Sequence, residues 1–223
     1  DLKADESPVT VADRETEQFL REAINKRFPS HAVLGEEYGE TGAGASHRWI
    51  VDPIDGTRSF IRGVPLYGVM IGLERDGEPV LGVVNIPALG DIVYAAQGEG
   101  CFWNGRPCHV SQVSTLKDSL LLASAVSGYD EERNLPALQR LIDSVGTFRT
   151  WGDCYGYLMV ATGRAEMMVD PQMSVWDAAA LLPILREAGG TFTDWQGNAT
   201  INAGEGIGTN GRVLDEMLAV IRT

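Results

Sequence analysis

Asp52 and Asp55 flank Pro53 and Ile54 in the stretch WIVDPIDGTRSF, directly after an apolar run. A strand that reaches Asp52 and loses regular pairing at Pro53 can present both carboxylates from one turn. Gly56 and Thr57 follow, and their backbone amides can open a helix or a nest that holds an anion. Oxygen ligands for a hard cation would then lie beside a cradle for phosphate. Read alone, the stretch is equally an ordinary Asp-Gly turn. It is not a calcium-binding EF-hand loop, because the alternating D-x-D-x-D-G pattern is absent.

Two other acidic positions have the right chemistry and a plain alternative. Glu36 and Glu37 end an expected strand in LGEEYG, where acidic pairs are commonly solvated. Asp177 stands three residues after Ser174 in SVWDAAALLPILREAGG, a capping-box-like helix start. A cap does not need the neighbouring Trp176, and a first-turn carboxylate can also reach across a cleft to a metal.

The elements that must position these groups follow from periodicity. Val11 to Phe28 is predicted as a helix with Phe19, Leu20, Ala23 and Ile24 as its apolar positions, ending at Pro29. AVLGEEYGE is a short strand entering an acidic turn, and RWIVD a strand that stops at Pro53. Between Tyr67 and Gln97 three strands follow, the first two joined by the hairpin signal DGEP. CFWNGRPC adds an Asn-Gly turn and SLLLAS a further strand, so the first half reads as an antiparallel sheet with helices.

Beyond about Ser124 helices and strands alternate, which favours an α/β half. Helices are predicted from Glu131 to Asp143, Asp153 to Thr162, Val175 to Ala188 and Val213 to Ile221, with strands near Phe148, in AEMMV, in GGTFTDWQGN and in GIGTN. Pro183 should cost its helix the bond to Ala179 and bend it, and Gly189 with Gly190 should end it. The expected division is an α+β half over 1–123 and an α/β half with a mixed sheet over 124–223. There is no internal repeat.

Eighteen basic against thirty-one acidic residues give a net charge of −13, which repels nucleic acid and anionic lipid. No basic run offsets it, so an anionic substrate must be brought in by cations. The same acidity also serves solubility. Cys101, Cys108 and Cys154 form an odd, sparse set without CxxC spacing, which argues against a disulfide framework and a cysteine zinc site. A reducing, cytoplasmic setting is expected, since no apolar stretch nears the ~18 residues of a membrane span and no signal peptide is visible. The sequence opens at Asp1 without a methionine.

Taken in order, SPVTVAD, GEE, WIVDPIDGTRSF and VWDAAALLPILREAGG resemble the signature segments of the inositol monophosphatase superfamily of metal-dependent, lithium-sensitive phosphatases. The resemblance runs from about Lys3 to the C-terminus. It implies a layered sandwich of the sugar-phosphatase type. It further implies that Glu36, Asp52, the carbonyl of Ile54, Asp55 and Asp177 hold two or three magnesium ions, with Asp52 bridging. Phosphate would sit on the ions and on the amides of Gly56 and Thr57. Asp13 resembles the family residue that pairs with the threonine of the DGT turn, so Asp13, Thr57 and Glu36 would orient the attacking water. No cysteine has a role in this scheme, and His31, His47 and His109 lie outside the motifs. The family's helix before the position of Asp1 is absent from the sequence, which bears on dimer contacts and the loop near Lys3 rather than on the ligands.

The substrate is set downstream. WGDCYGY is similar to the histidinol-phosphate phosphatases of the superfamily, where Asp153 would meet a substrate ammonium through a charge-assisted hydrogen bond. The alternative is that Asp153 caps the following helix. Asp170 matches a family position for a substrate hydroxyl or amine, while Trp151, Tyr155 and Tyr157 read as core. The leading expectation is hydrolysis of L-histidinol phosphate in histidine biosynthesis by a homodimer that takes a small phosphate ester and neither nucleic acid nor membrane. An inositol-1-phosphate or broader sugar-phosphate phosphatase is the closest alternative. A non-catalytic binding module is the remote one, disfavoured because every expected ligand position is intact.

Overall fold

The computed structural model describes residues 9–126, 129–130 and 134–222; the expected helix start at Glu131 and the loop near Lys3 lie outside them. One sheet takes eight strands: β1 (Ala32–Gly35), β2 (Gly39–Thr41), β3 (His47–Asp55), β4 (Gly68–Arg75), β5 (Glu78–Ile86), β6 (Asp91–Ala96), β7 (Gly100–Trp103) and β8 (Arg106–Pro107). Their order is β2-β1-β3-β4-β5-β6-β7-β8. Neighbours are antiparallel as predicted, except that β1 and β3 run parallel. Asp76-Gly77 and Asn104-Gly105 both combine two positive φ angles (53° and 85°, 50° and 78°), the type I′ geometry that those sequences favour.

The second sheet takes β9 (Leu120–Ala123), β10 (Thr147–Arg149), β11 (Met167–Asp170), β12 (Thr191–Thr193) and β13 (Gly206–Thr209), in the order β10-β9-β11-β13-β12. It is mixed, with β9 parallel to both neighbours and β13 antiparallel to β11 and β12. β9 therefore does not extend the first sheet, as SLLLAS was expected to do. Leu121, Leu122 and Ala123 are all buried, so both faces of β9 are covered. A continuous apolar run of this kind marks a parallel strand between two layers.

Helices fill three further layers. α1 (Val11–Arg27) covers the outer face of the first sheet, with Ile24 against Val33 and Val51. Between the sheets lie α4 (Asp153–Ala161), α5 (Val175–Ala179) and α6 (Leu181–Glu187). α3 (Leu135–Ser144) and α7 (Leu214–Arg222) cover the far face of the second sheet, packing Leu138, Leu141 and Met217 on Leu121, Met167 and Ile207. The result is a five-layer sandwich of helix and sheet, as the resemblance implied.

Two local expectations change. The buried face of α1 is ionic: Phe19 is 69% exposed and Ala23 is exposed, whereas Asp13, Glu17, Arg21 and Ile24 are buried. Their spacing of four, four and three residues is one face of a helix. The helix predicted from Val175 to Ala188 divides at Ala180. Pro183 offers no N–H to the Ala179 carbonyl and disfavours helical geometry just before it.

That division rests on two glycines of the first sheet. A Cβ on Gly72 would lie 2.7 Å from Ala179 Cβ, and one on Gly82 would lie 2.0 Å from the Ala180 carbonyl oxygen. The helices approach β4 and β5 this closely only because no side chain intervenes. Gly82→Ala should therefore lower the unfolding free energy by about 1–3 kcal/mol through overpacking. Urea denaturation measures it, and an unchanged midpoint would contradict the close approach.

Candidate active site

β3 does not stop at Pro53. Its pairing with β4 passes from Asp52 opposite Met70 to Asp55 opposite Gly68, so three steps on one strand meet two on the other. The extra residue is a bulge at the proline, which has no N–H for the ladder. Residues three apart on a regular strand face opposite sides, and the bulge returns both carboxylates to one side. The Ile54 N–H donates to Asp52 Oδ1 at 3.0 Å and fixes the turn.

Asp177 meets them from the first turn of α5, where its Oδ2 accepts the Ser174 N–H at 2.7 Å. Capping and convergence are thus compatible, because the cap sets the direction of the carboxyl. Asp52, Asp55 and Asp177 each bring one oxygen within 4.8 Å of the others. Burial, then the charges of Asp55, Asp177 and Glu36, pushes the Asp52 carboxyl well above the carboxylate range. Asp55 is raised by burial, then by Asp153 and Asp177, against the Cys154 N–H that donates to its Oδ2 at 2.5 Å. Carboxylates that repel one another, Asp52 buried and Asp55 and Asp177 half-buried, and that present hard oxygens are the donor set of a divalent cation. The residues present fit such an ion.

Glu36 sits half-buried in the turn after β1, and its charge acts on Asp52, although it is not one of the three converging groups. The turn is held from α1. Glu17 accepts the N–H groups of Glu37 at 2.6 Å and Tyr38 at 3.2 Å and pairs with Arg21 at 2.7 Å. Arg21 donates in turn to the carbonyls of Val33 and Gly39. These bonds explain why an ionic face can be buried, since each charge has partners. Reading the sequence for apolar spacing missed Glu17 and Arg21. The signal available was the i, i+4 recurrence of charge at Asp13, Glu17 and Arg21.

Asp13 serves the same helix twice. Its Oδ2 accepts the Thr10 N–H at 2.7 Å and the Thr10 hydroxyl at 2.6 Å, while its Oδ1 lies 3.4 Å from the Thr57 hydroxyl. The single Thr57 proton is nearer the Ile54 carbonyl, at 2.9 Å. A carbonyl has two lone pairs, so this bond does not exhaust it. Gly56 opens α2 (Thr57–Phe60) with φ 80°, and a Cβ there would meet Asp153 Oδ2 and the Leu66 carbonyl at 3.0 Å each. Both backbone and space demand glycine.

Asp153 and Asp170 face the same cavity of about 130 Å³ as Asp55 and Asp177, together with Ser124 and Gln172. Asp153 is the first residue of α4 and not its cap, which is Gly152. Its φ of +53° is the left-handed region, a strained choice for a non-glycine residue. Its N–H donates to Ser124 Oγ at 2.9 Å. Burial raises its carboxyl, with the Arg58 charge acting in the opposite sense. Asp170 ends β11, buried, and burial pushes it up to about 7 despite hydrogen bonds from Ser124 and Tyr157. Ser124 and Gln172 carry no signature that sequence alone would flag.

Of the aromatic residues expected in the core, Tyr157 is buried and Tyr155 half-buried, but Trp151 is 41% exposed. Cys154 lines the cavity, yet burial and the Asp55 charge raise its thiol far from a thiolate. None of the three histidines lines it.

Comparison with known proteins shows what the chain is similar to. The family model described as inositol monophosphatase family matches residues 1–223. The histidinol-phosphatase of Chlorobaculum parvum is 49% identical over 206 residues, 92% of this chain and 79% of that protein. The histidinol-phosphatase of Streptomyces coelicolor is 39% identical over 231 residues, 99% of this chain and 86% of that protein. The crystal structure of the extragenic suppressor protein suhB from Bartonella henselae superimposes with a TM-score of 0.92 at 30% identity, covering 100% of this chain and 88% of that one.

The raised carboxyls make stability depend on pH without metal. Folded Asp170 holds its proton to about 7, against an ordinary value of 3.8. The folded state binds the extra proton between those values, so this contribution is complete below about pH 4 and is lost as pH rises to 7. Asp170→Asn cannot ionise. In metal-free protein at pH 8 it should exceed the parent in stability by roughly 2–4 kcal/mol, and the gap should close at pH 4. A gap that does not change with pH in denaturant titrations would contradict this reading.

Proposed function

The chain belongs to the inositol monophosphatase family and is a phosphomonoesterase, and from that premise we propose that its substrate is L-histidinol phosphate, cleaved to L-histidinol and phosphate with magnesium as the cation. The observation that carries the substrate is the pair Asp153 and Asp170. Asp170 is buried and Asp153 half-buried in one cavity wall, both lie against the Ser124 side chain, and they share that cavity with the carboxylates of the cation site. Two carboxylates facing the substrate suit an ammonium group, a charged partner that a polyol lacks. The likeness to two histidinol-phosphatases supports the same reading.

Glu36, Asp52, the Ile54 carbonyl, Asp55 and Asp177 would hold two or three magnesium ions, which supply a lower pKa for the attacking water, neutralise phosphate charge and stabilise the leaving alkoxide. Gly56 and Thr57 offer backbone amides to the phosphate. The Thr57 hydroxyl, placed between Asp13 and the Ile54 carbonyl, orients the water with Glu36 for in-line attack. In this division of labour residues 1–123 handle cation and phosphate, residues 124–223 read the substrate, and Asp177 crosses to the first group. The enzyme would act as a homodimer, as the family resemblance implies, in the reducing cytoplasm expected from its sparse cysteines. The alternative substrate, inositol 1-phosphate, rests on the family's description.

Hydrolysis of a panel of phosphate esters should show histidinol phosphate preferred, with activity lost to chelator and restored by magnesium. Asp153→Asn should lower kcat/KM for histidinol phosphate about 10- to 100-fold, the value of a charge-assisted hydrogen bond, and leave inositol 1-phosphate little changed. Preference for inositol 1-phosphate, or an equal loss on both esters, would overturn the substrate assignment.

A further inference from the structure

Cys101 and Cys108 are seven positions apart in the sequence, yet the β7–β8 hairpin sets them face to face. The register pairs Trp103 with Arg106 and Phe102 with Pro107, so the next pair outward is Cys101 with Cys108. The Cys108 N–H donates to the Cys101 carbonyl at 2.9 Å, and the two sulfurs lie 3.4 Å apart. Residues opposed across ladder hydrogen bonds have Cα atoms about 5.5 Å apart, inside the range a disulfide spans. Neither sulfur lines the cavity of the carboxylates.

We propose that Cys101 and Cys108 are a redox-active dithiol that forms a reversible intramolecular disulfide by exchange with small disulfides such as oxidised glutathione. Cys108 is the attacking sulfur. It adjoins β8, a two-residue strand at the sheet edge whose residues are both exposed, so local opening of that edge uncovers it. The Arg164 guanidinium stacks on Trp103, 4.6 Å from the ring centroid, and its charge acts on Cys108. Arg164 Nη2 is buried and has no hydrogen-bond partner among the described residues. A buried donor without a partner asks for an anion, and a Cys108 thiolate is one. The hydrogen bond between the two sulfurs and the Arg164 charge both lower the Cys108 thiol, while Cys101 is raised by the same bond and by burial.

In the exchange, the Cys108 thiolate attacks one sulfur of the small disulfide, forming a mixed disulfide and releasing one small thiolate. Cys101 then loses its proton to solvent and attacks the Cys108 sulfur, forming the Cys101–Cys108 bond and releasing the second small thiolate. The protein loses two electrons and two protons, and the small disulfide is reduced to two thiols.

The test uses the full chain, reduced and then equilibrated in glutathione buffers of rising oxidation, with acid quench and alkylation. Two of the three thiols should be lost together, with Cys154 alkylated throughout, and peptide mapping after chymotryptic cleavage between the cysteines should show them linked. Cys101→Ser should instead accumulate glutathione on Cys108. In reduced protein, Arg164→Gln should slow alkylation of Cys108 at least 5-fold while Arg164→Lys keeps most of the rate. Three thiols surviving fully oxidised glutathione, a Cys101→Ser variant that takes up none, or an alkylation rate indifferent to Arg164 would overturn the proposal.

Discussion

Three carboxylates, Asp52, Asp55 and Asp177, are held with oxygens within 4.8 Å of one another, and among the described residues no cation acts on Asp52 or Asp55 to offset their charge. Their repulsion, added to the cost of burial, opposes folding in the absence of an ion. Much of the architecture can be understood as what holds them there. The bulge at Pro53 turns two of them to one side of β3. Gly72 and Gly82 let α5 and α6 settle directly on the sheet, which brings the third across from the opposite layer.

α1 extends the same logic outward. Its buried face is a column of charges, Asp13, Glu17 and Arg21, whose groups are spent on backbone amides and carbonyls of the turn that carries Glu36 and on the Thr10 cap. The helix therefore fixes two separate parts of the site, the acidic turn after β1 and the hydroxyl of Thr57. The left-handed backbone of Asp153 stores strain in the wall of the cavity it shares with Asp55, Asp170 and Asp177.

The parts of this arrangement that local chemistry dictates were legible in the sequence. Asp76-Gly77 and Asn104-Gly105 demanded their hairpin turns and Ser174 with Asp177 their cap, while Asp52 and Asp55 offered convergence as one of two readings. What could not be read locally depends on a partner distant in sequence. Pro53 signalled a stop, but β4 supplied pairing beyond it and turned the stop into a bulge. The Leu120–Ala123 run gave a strand without saying which sheet, since parallel partners on both sides decide that. Phe19 and Leu20 outweighed Glu17 and Arg21 in a reading by polarity, because the backbone groups that satisfy those charges come from residues twelve to twenty-one positions away. Ser124 and Gln172 reach the cavity by tertiary placement alone, and Cys101 faces Cys108 through strand register rather than a spacing motif.

The convergence of the carboxylates on a cation is the claim from which the rest descends. Crystals of the protein soaked in manganese, a scatterer that can stand for magnesium, test it most directly. Anomalous difference maps should show ion density bounded by Asp52, Asp55 and Asp177, with Glu36 drawn to the same ions. Absence of density there in crystals that otherwise diffract unchanged, or ions seated only elsewhere, would contradict it.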